Sequence, residues 1–252
     1  MTKSKDKPSR RILLTIEYDG VDLFGSQRQR EGPTVQSLVE EALEKITGIQ
    51  TALTFSGRTD RGVHGTGMLA SFETASDIPA ERFHLALTAC LPPEVAVTSA
   101  REVSSDFHPR KAATGKLYRY RIFNRTIRSP LERDIAWHVA VPLDIDSMRA
   151  AARFLPGTRD FRSFTAEAAS KDDTVRTLTA VRIRREGDVV VVDVEGEGFL
   201  HNMVRAIVGS LVEVGRGKEP PAWMLDVLEA QDRRKAGQTA PPQGLCLIRV
   251  LW

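Results

Sequence analysis

LTAVRIRREGDVVVVDVE, residues 178–195, reads as two strands folded back on a tight connection. Leu178–Arg184 and Val189–Glu195 are rich in β-formers, and Glu186-Gly187-Asp188 between them is a hairpin signal. Upstream of the hairpin, Lys116–Phe123 reads as a strand and Asp146–Leu155 as a helix ending near Gly157. Downstream, Phe199–Val214 gives a long helix, Pro221 to about Arg233 another, and Leu245–Leu251 a last strand. The first half of the chain repeats this order. Leu13–Tyr18 alternates as a strand and turns at Asp19 and Gly20. Thr34 opens a helix carrying Val35, Leu38, Val39, Ala42, Leu43 and Ile46 at helical spacing, and Gly48 stops it. Strands follow at Thr51–Phe55 and Met68–Phe72, then a helix from Pro79 to about Leu91, then a strand at Val95–Val103. Two rounds of strand–helix–strand–strand–helix–strand imply an α+β fold of two ferredoxin-like, RRM-like halves. The expected arrangement is one broad, mostly antiparallel sheet with helices on one face and a central cleft on the other. FHPRKAAT, residues 107–114, breaks the pattern, so the expected halves are residues 1–110 and 111–252.

Composition narrows the function classes. The chain has 252 residues, 41% hydrophobic and 6% aromatic, enough for a core of this size. Its apolar runs are too short to cross a bilayer, and the charged start MTKSKDKPSRR reads as a loose tail with no targeting segment behind it. Cys90 and Cys246, each beside leucine, read as small buried hydrophobes in a reducing compartment, so a cytoplasmic location is expected. The net charge of +3 is no histone-like excess. Charge is nevertheless uneven: KAATGKLYRYRIFNRTIR, residues 111–128, is rich in Lys and Arg, has no acid, and interleaves Tyr118, Tyr120 and Phe123. Such a stretch can hold phosphates on its cations and bases on its rings. The alternative is a strand whose aromatics face the core while its cations face water.

The chemistry concentrates in TFSGRTDRGVHGTG, residues 54–67. Four glycines (Gly57, Gly62, Gly65, Gly67) surround Asp60, with Arg58 and Arg61 on either side. Glycines allow positive φ and close approach to a ligand, and neighbouring guanidinium groups favour the ionised acid. A carboxylate kept anionic on a rigid loop suits a nucleophile; a surface turn with a solvated ion pair is the plainer reading. The five histidines show no metal-ligand spacing, and no phosphate loop is present, so neither a metal nor a nucleotide cofactor is expected. Ser56 and His64 raise a hydrolase reading, but the nucleophile-elbow pattern is absent. In GEGFLHNMVRAIVGSLVEVG, residues 196–215, Phe199, Met203, Ile207 and Leu211 form a helical stripe from which Arg205 departs. Arg205 is then either an ordinary solvated arginine or a cation at the cleft that pairs with Asp60.

Taken in order, IEYDG (16–20), GRTDRGVHGTG (57–67), DFHPRKAATGKLYRYRIFN (106–124), RDFRSF (159–164), GFLHNMVRAIVGSLVEVGRG (198–217) and APPQGLCL (240–247) resemble the TruA-type family, the tRNA pseudouridine synthase A group of pseudouridine synthases. That resemblance implies an isomerase that cleaves the uracil N1–C1′ bond, turns the base and rejoins it through C5, with no metal and no cofactor. It matches Asp60 to the catalytic aspartate, Tyr118 to the active-site tyrosine, and Arg205 to the arginine that pairs with the aspartate. Arg58 matches the position implicated in flipping the target uridine out of its stack. Phe107, His108, Pro109, Arg110 and Lys111, and the loop Ala168, Ala169, Ser170, Lys171 and Asp172, match segments that contact tRNA. The implied substrate is the tRNA anticodon stem-loop, at uridines thirty-eight to forty, and the implied assembly is a homodimer. Two positions depart from the pattern. Ser26 stands where tryptophan is usual, removing a packing or stacking surface, and Arg61 stands where a small residue is common. A non-catalytic RNA-binding protein with RRM-like halves and a small-molecule hydrolase are the competing readings.

Overall fold

A computed structural model describes residues 8–165 and 173–252. The chain forms two units, one running to Thr114 and taking in Trp252, the other spanning Gly115–Leu251. The first contains β1 (Arg10–Tyr18), α1 (Val35–Thr47), β2 (Thr54–Phe55), β3 (His64–Thr74), α2 (Phe83–Thr88), β4 (Val95–Val103) and the short α3 (Pro109–Ala112). Its strands lie in the order β4-β1-β3-β2, all neighbours antiparallel, which is the ferredoxin-like order.

Alternation builds this sheet. Ile12, Leu14, Ile16 and Tyr18 share one face of β1 and are buried, as are Met68 and Phe72 on β3. Val35, Val39 and Leu43 of α1 and Phe83 and Leu87 of α2 are buried too, and Phe72 meets Phe83 edge to face at 5.3 Å. Helix α1 starts where the sequence predicts. Thr34 Oγ1 accepts the Ser37 N–H at 3.1 Å and Ser37 Oγ accepts the Thr34 N–H at 3.0 Å, a reciprocal cap worth about 1 kcal/mol. Gly48 ends it in the left-handed region at φ 72°.

The second unit contains β5 (Gly115–Phe123), β6 (Trp137–His138), α4 (Ile145–Ala152), β7 (Gly157–Asp160), β8 (Val175–Glu186), β9 (Val189–Gly196), α5 (Met203–Gly215), α6 (Trp223–Ala230) and β10 (Leu245–Leu251). Its order is β10-β5-β9-β8-β7, antiparallel throughout, with β6 beside β5 in parallel. The first four strands repeat the ferredoxin-like order. The predicted hairpin is β8–β9, with Gly187 at φ 60°. Each half is thus α+β and mostly antiparallel.

Several elements differ from the sequence reading. The expected helix Phe199–Val214 begins only at Met203, because Asn202 takes a left-handed φ of 61° ahead of it. Phe199 therefore leaves the proposed helical stripe and packs edge to face on Tyr118, centroids 5.0 Å apart. The helix after Pro79 is a 3-10 turn, Ala80–Arg82, followed by the six-residue α2. The helix expected to reach Arg233 stops at Ala230, where Gln231 turns left-handed at φ 49°. Strands β6 and β7 were not expected: the first has two residues and the second, GTRD, has no apolar alternation.

Candidate active site

Asp60 sits half-buried on the loop between β2 and β3, and the backbone around it is fixed from several sides. A register shift after Ile16 places Tyr18, the last residue of β1, opposite Gly65 of β3. The Tyr18 ring fills the space that a Gly65 side chain would occupy, since a Cβ there would lie 2.6 Å from the ring. From that position the buried Tyr18 hydroxyl meets Thr59 Oγ1 at 2.8 Å. Ser26, fully buried, accepts the Thr59 N–H on its Oγ at 2.8 Å and donates its own N–H to the Thr59 carbonyl at 3.2 Å. Just ahead of it, Gly25 has φ +88°, and a Cβ there would stand 2.7 Å from the Thr59 carbonyl oxygen. Beyond Asp60 the chain turns, with the Val63 N–H donating to the Asp60 carbonyl at 3.2 Å and Gly62 at φ 78°.

The loop's cations take different places. Arg58 is exposed. Arg61 is also exposed, and its guanidinium carbon lies 4.1 Å over the Phe24 ring. His64 accepts the Gly20 N–H on Nδ1 at 3.2 Å, and the same nitrogen is 3.1 Å from Asp19 Oδ1. Ser56, buried, donates to Met68 Sδ at 3.6 Å. Ser56 and His64 thus each bond to a group other than a serine–histidine partner.

In the second unit, Tyr118, Tyr120 and Ile122 share one buried face of β5, and Arg119 and Arg121 alternate with them. Arg119 forks onto Asp193 of β9, Nε to Oδ1 at 2.7 Å and Nη2 to Oδ2 at 3.0 Å, while Arg121 pairs with Glu132 at 2.9 Å. Tyr120 is wholly buried and donates its hydroxyl to the Pro241 carbonyl at 2.7 Å; burial pushes its phenol pKa well up. The basic aromatic strand is therefore chiefly a core strand with paired cations.

Arg205 lies in the first turn of α5, partly buried. Its Nε donates to the Ala240 carbonyl at 2.7 Å and Nη1 to Asn202 Oδ1 at 2.7 Å. Residues 237–244 form a strap that holds this guanidinium. The Ala240 N–H returns a bond to the Arg205 carbonyl at 3.1 Å, and Ser210 Oγ accepts the Gly237 N–H at 2.9 Å. A Cβ on Gly209 would stand 1.7 Å from the Gln238 carbonyl oxygen, so the strap and helix touch backbone to backbone. Sequence reasoning singled out Arg205 but not Asn202 or the strap; the cue was the APPQGLCL segment itself.

Phe107 is half-buried, its ring 5.0 Å from that of Trp252, and Arg101 stands over the same indole at 4.3 Å. His108 caps α3, Nδ1 accepting the Arg110 N–H at 3.2 Å, Pro109 is buried in that turn, and Arg110 and Lys111 are exposed. Ala168, Ala169, Ser170, Lys171 and Asp172 lie outside the described residues. Among the described residues no three His, Cys, Asp or Glu side chains gather as a metal site, and no helix is long and apolar enough to cross a membrane.

A profile of the family described as tRNA pseudouridine synthase matches residues 14–110 and 151–252. The chain belongs to this family, whose members are isomerases that act on tRNA. It is 44% identical to "tRNA pseudouridine synthase A 2" of Clostridium perfringens, over 96% of this chain and 100% of that one. It is 47% and 48% identical to proteins called tRNA pseudouridine synthase A in Pelobacter propionicus and Geobacter sulfurreducens, over 96% of this chain and 99% of each. A solved Cbf5-Nop10-Gar1 complex aligns at a TM-score of 0.41 and 14% identity, over 98% of this chain and 59% of that chain.

Proposed function

We propose that this chain converts uridine to pseudouridine at positions thirty-eight to forty of the tRNA anticodon arm, with Asp60 as nucleophile. The supporting observation is local: half-buried Asp60 stands on a loop whose preceding residue, Thr59, is bonded through its N–H, carbonyl and hydroxyl. A reacting group held this way loses little entropy on reaching its target atom. Attack on C1′ of the ribose or on C6 of the uracil both need the ionised carboxylate. The N1–C1′ bond breaks, the base turns, C5 bonds to C1′, and the C5 proton departs.

In this reading the half spanning residues 1–110 carries the nucleophile and the half spanning 111–252 carries Tyr118 and Arg205. Tyr118 meets the turned uracil and receives the C5 proton, its ring orientation set by Phe199. Arg205, oriented by Asn202 and Ala240, pairs with Asp60. Arg58 is exposed and enters the stack as the uridine is extruded. Phe107, His108, Pro109, Arg110 and Lys111, with Ala168, Ala169, Ser170, Lys171 and Asp172, hold the tRNA backbone. Recognition reads shape and phosphates more than base edges, which allows several neighbouring positions to be modified. The working form is a cytoplasmic homodimer.

Mapping pseudouridines in tRNA incubated with the purified protein tests this reading. New pseudouridine confined to the anticodon arm is expected. None there, with tRNA bound, would leave the RNA-binding alternative.

A further inference from the structure

The departure at Ser26 carries a further consequence, which rests on the assignment of Asp60 as nucleophile. We infer that Ser26 is a positioning residue for the reaction, setting the place of the Asp60 carboxylate through the backbone of Thr59. Ser26 touches Thr59 twice: Oγ accepts the Thr59 N–H at 2.8 Å and the Ser26 N–H donates to the Thr59 carbonyl at 3.2 Å. Both polar backbone groups of the residue before Asp60 therefore end on one side chain and one amide from another loop. Ser26 is fully buried and Thr59 is 8% exposed, so water is poorly placed to replace a lost bond.

Ser26 is itself held. Its carbonyl accepts the Gln36 N–H at 3.0 Å, and the Gly25 carbonyl accepts the Val35 N–H at 3.3 Å, which ties both residues to the first turn of α1. The reciprocal Thr34–Ser37 cap fixes that turn. Rigidity thus passes from α1 through Ser26 and Thr59 to Asp60. An aromatic side chain at position 26 would have no acceptor for the Thr59 N–H. Here a small hydroxyl supplies one, so the departure installs a new bond where the sequence alone suggested only lost packing.

The test uses the full chain and tRNA carrying tritium at uracil C5, with single-turnover release measured at saturating enzyme and Kd measured separately. Ser26→Ala keeps the backbone bond and removes the Oγ acceptor. The expected result is a release rate about ten-fold lower, the scale of a sub-ångström displacement of a reacting group, with Kd for tRNA unchanged. Ser26→Cys, a weaker acceptor of similar size, is expected to fall between wild type and Ser26→Ala, and it decides the matter if Ser26→Ala does not fold. The amide of Thr59 should also exchange with solvent faster in Ser26→Ala. Thr88→Val, which removes the two hydrogen bonds between the Thr88 hydroxyl and the Val97 backbone, is the stability control and should keep the full rate per folded molecule. A full rate in Ser26→Ala, a change confined to Kd, or an equal rate loss in Thr88→Val would overturn the inference. Asp60→Asn in the same assay separates the two claims. If it still releases tritium, the nucleophile assignment fails. If it is inactive while Ser26→Ala is at full speed, only the role of Ser26 fails.

Discussion

Asp193 of β9 faces Arg119 of β5 directly across the ladder and receives three charge-assisted bonds. Arg119 supplies two, at 2.7 and 3.0 Å, and Arg184 of β8 supplies the third through Nη1 at 2.7 Å. Replacing Asp193 by Asn keeps the shape, leaves one acceptor oxygen, and turns an amide NH2 toward a guanidinium. Bonds to charged partners are worth about 1.5–3 kcal/mol each. The Arg119 and Arg184 side chains are 34% and 38% exposed, so water recovers part of that. The net cost should be about 2 kcal/mol, which for a chain of this length lowers Tm by about 4–8 °C. Burial acts to raise the Asp193 carboxyl pKa, but hydrogen bonds and charge from Arg119 and Arg184 outweigh it and hold the group below its ordinary 3.8. With the folded value depressed, the native state binds fewer protons than the unfolded chain. The stabilisation is thus present above the unfolded value and lost as pH falls through the folded one. Thermal and urea unfolding of both proteins between about pH 8 and pH 3 should show a constant gap down to about pH 5 that narrows below pH 4. A Tm shift under about 1 °C at neutral pH would refute the energetics. A gap that ignores pH would refute the electrostatic cause.

Gly65→Ala drives a Cβ into the buried Tyr18 ring, 2.6 Å away, and should cost about 1–3 kcal/mol of stability. It should also slow pseudouridine formation, because the Tyr18 hydroxyl must leave Thr59; thermal unfolding and a turnover assay check both. Arg61→Ala removes the cation over Phe24 and should lower stability by about 0.5–1 kcal/mol while leaving the salt dependence of tRNA binding unchanged. A slope shallower by about one would place that guanidinium on a phosphate instead.

The fold was legible wherever one periodicity ran long enough. The alternation of β1, the capped stripe of α1 and the Glu-Gly-Asp hairpin of β8–β9 each depend on local chemistry, and two rounds of the same order gave both halves. Legibility ended where tertiary contacts decide. The left-handed Asn202 cuts the start from α5, and β7 pairs along the edge that Val175–Leu178 of β8 offers, a contact made across the chain rather than in local sequence. In the candidate site, glycine density singled out the loop that carries Asp60, since such density is visible in a sequence. Its fixation was not visible, because Ser26 and Tyr18 reach Thr59 from 33 and 41 residues away. The basic aromatic strand follows the plainer of its two readings, tyrosines toward the core, while Arg119 and Arg121 find acids on β9 and at Glu132, partners no local pattern reveals.

Asp60→Asn, assayed for tritium release from uracil C5 of tRNA alongside tRNA binding, tests the account most directly. It should bind tRNA as wild type does and release no tritium. Release at an appreciable fraction of the wild-type rate, from a variant verified to be free of wild-type enzyme, would contradict the assignment of that carboxylate as the nucleophile.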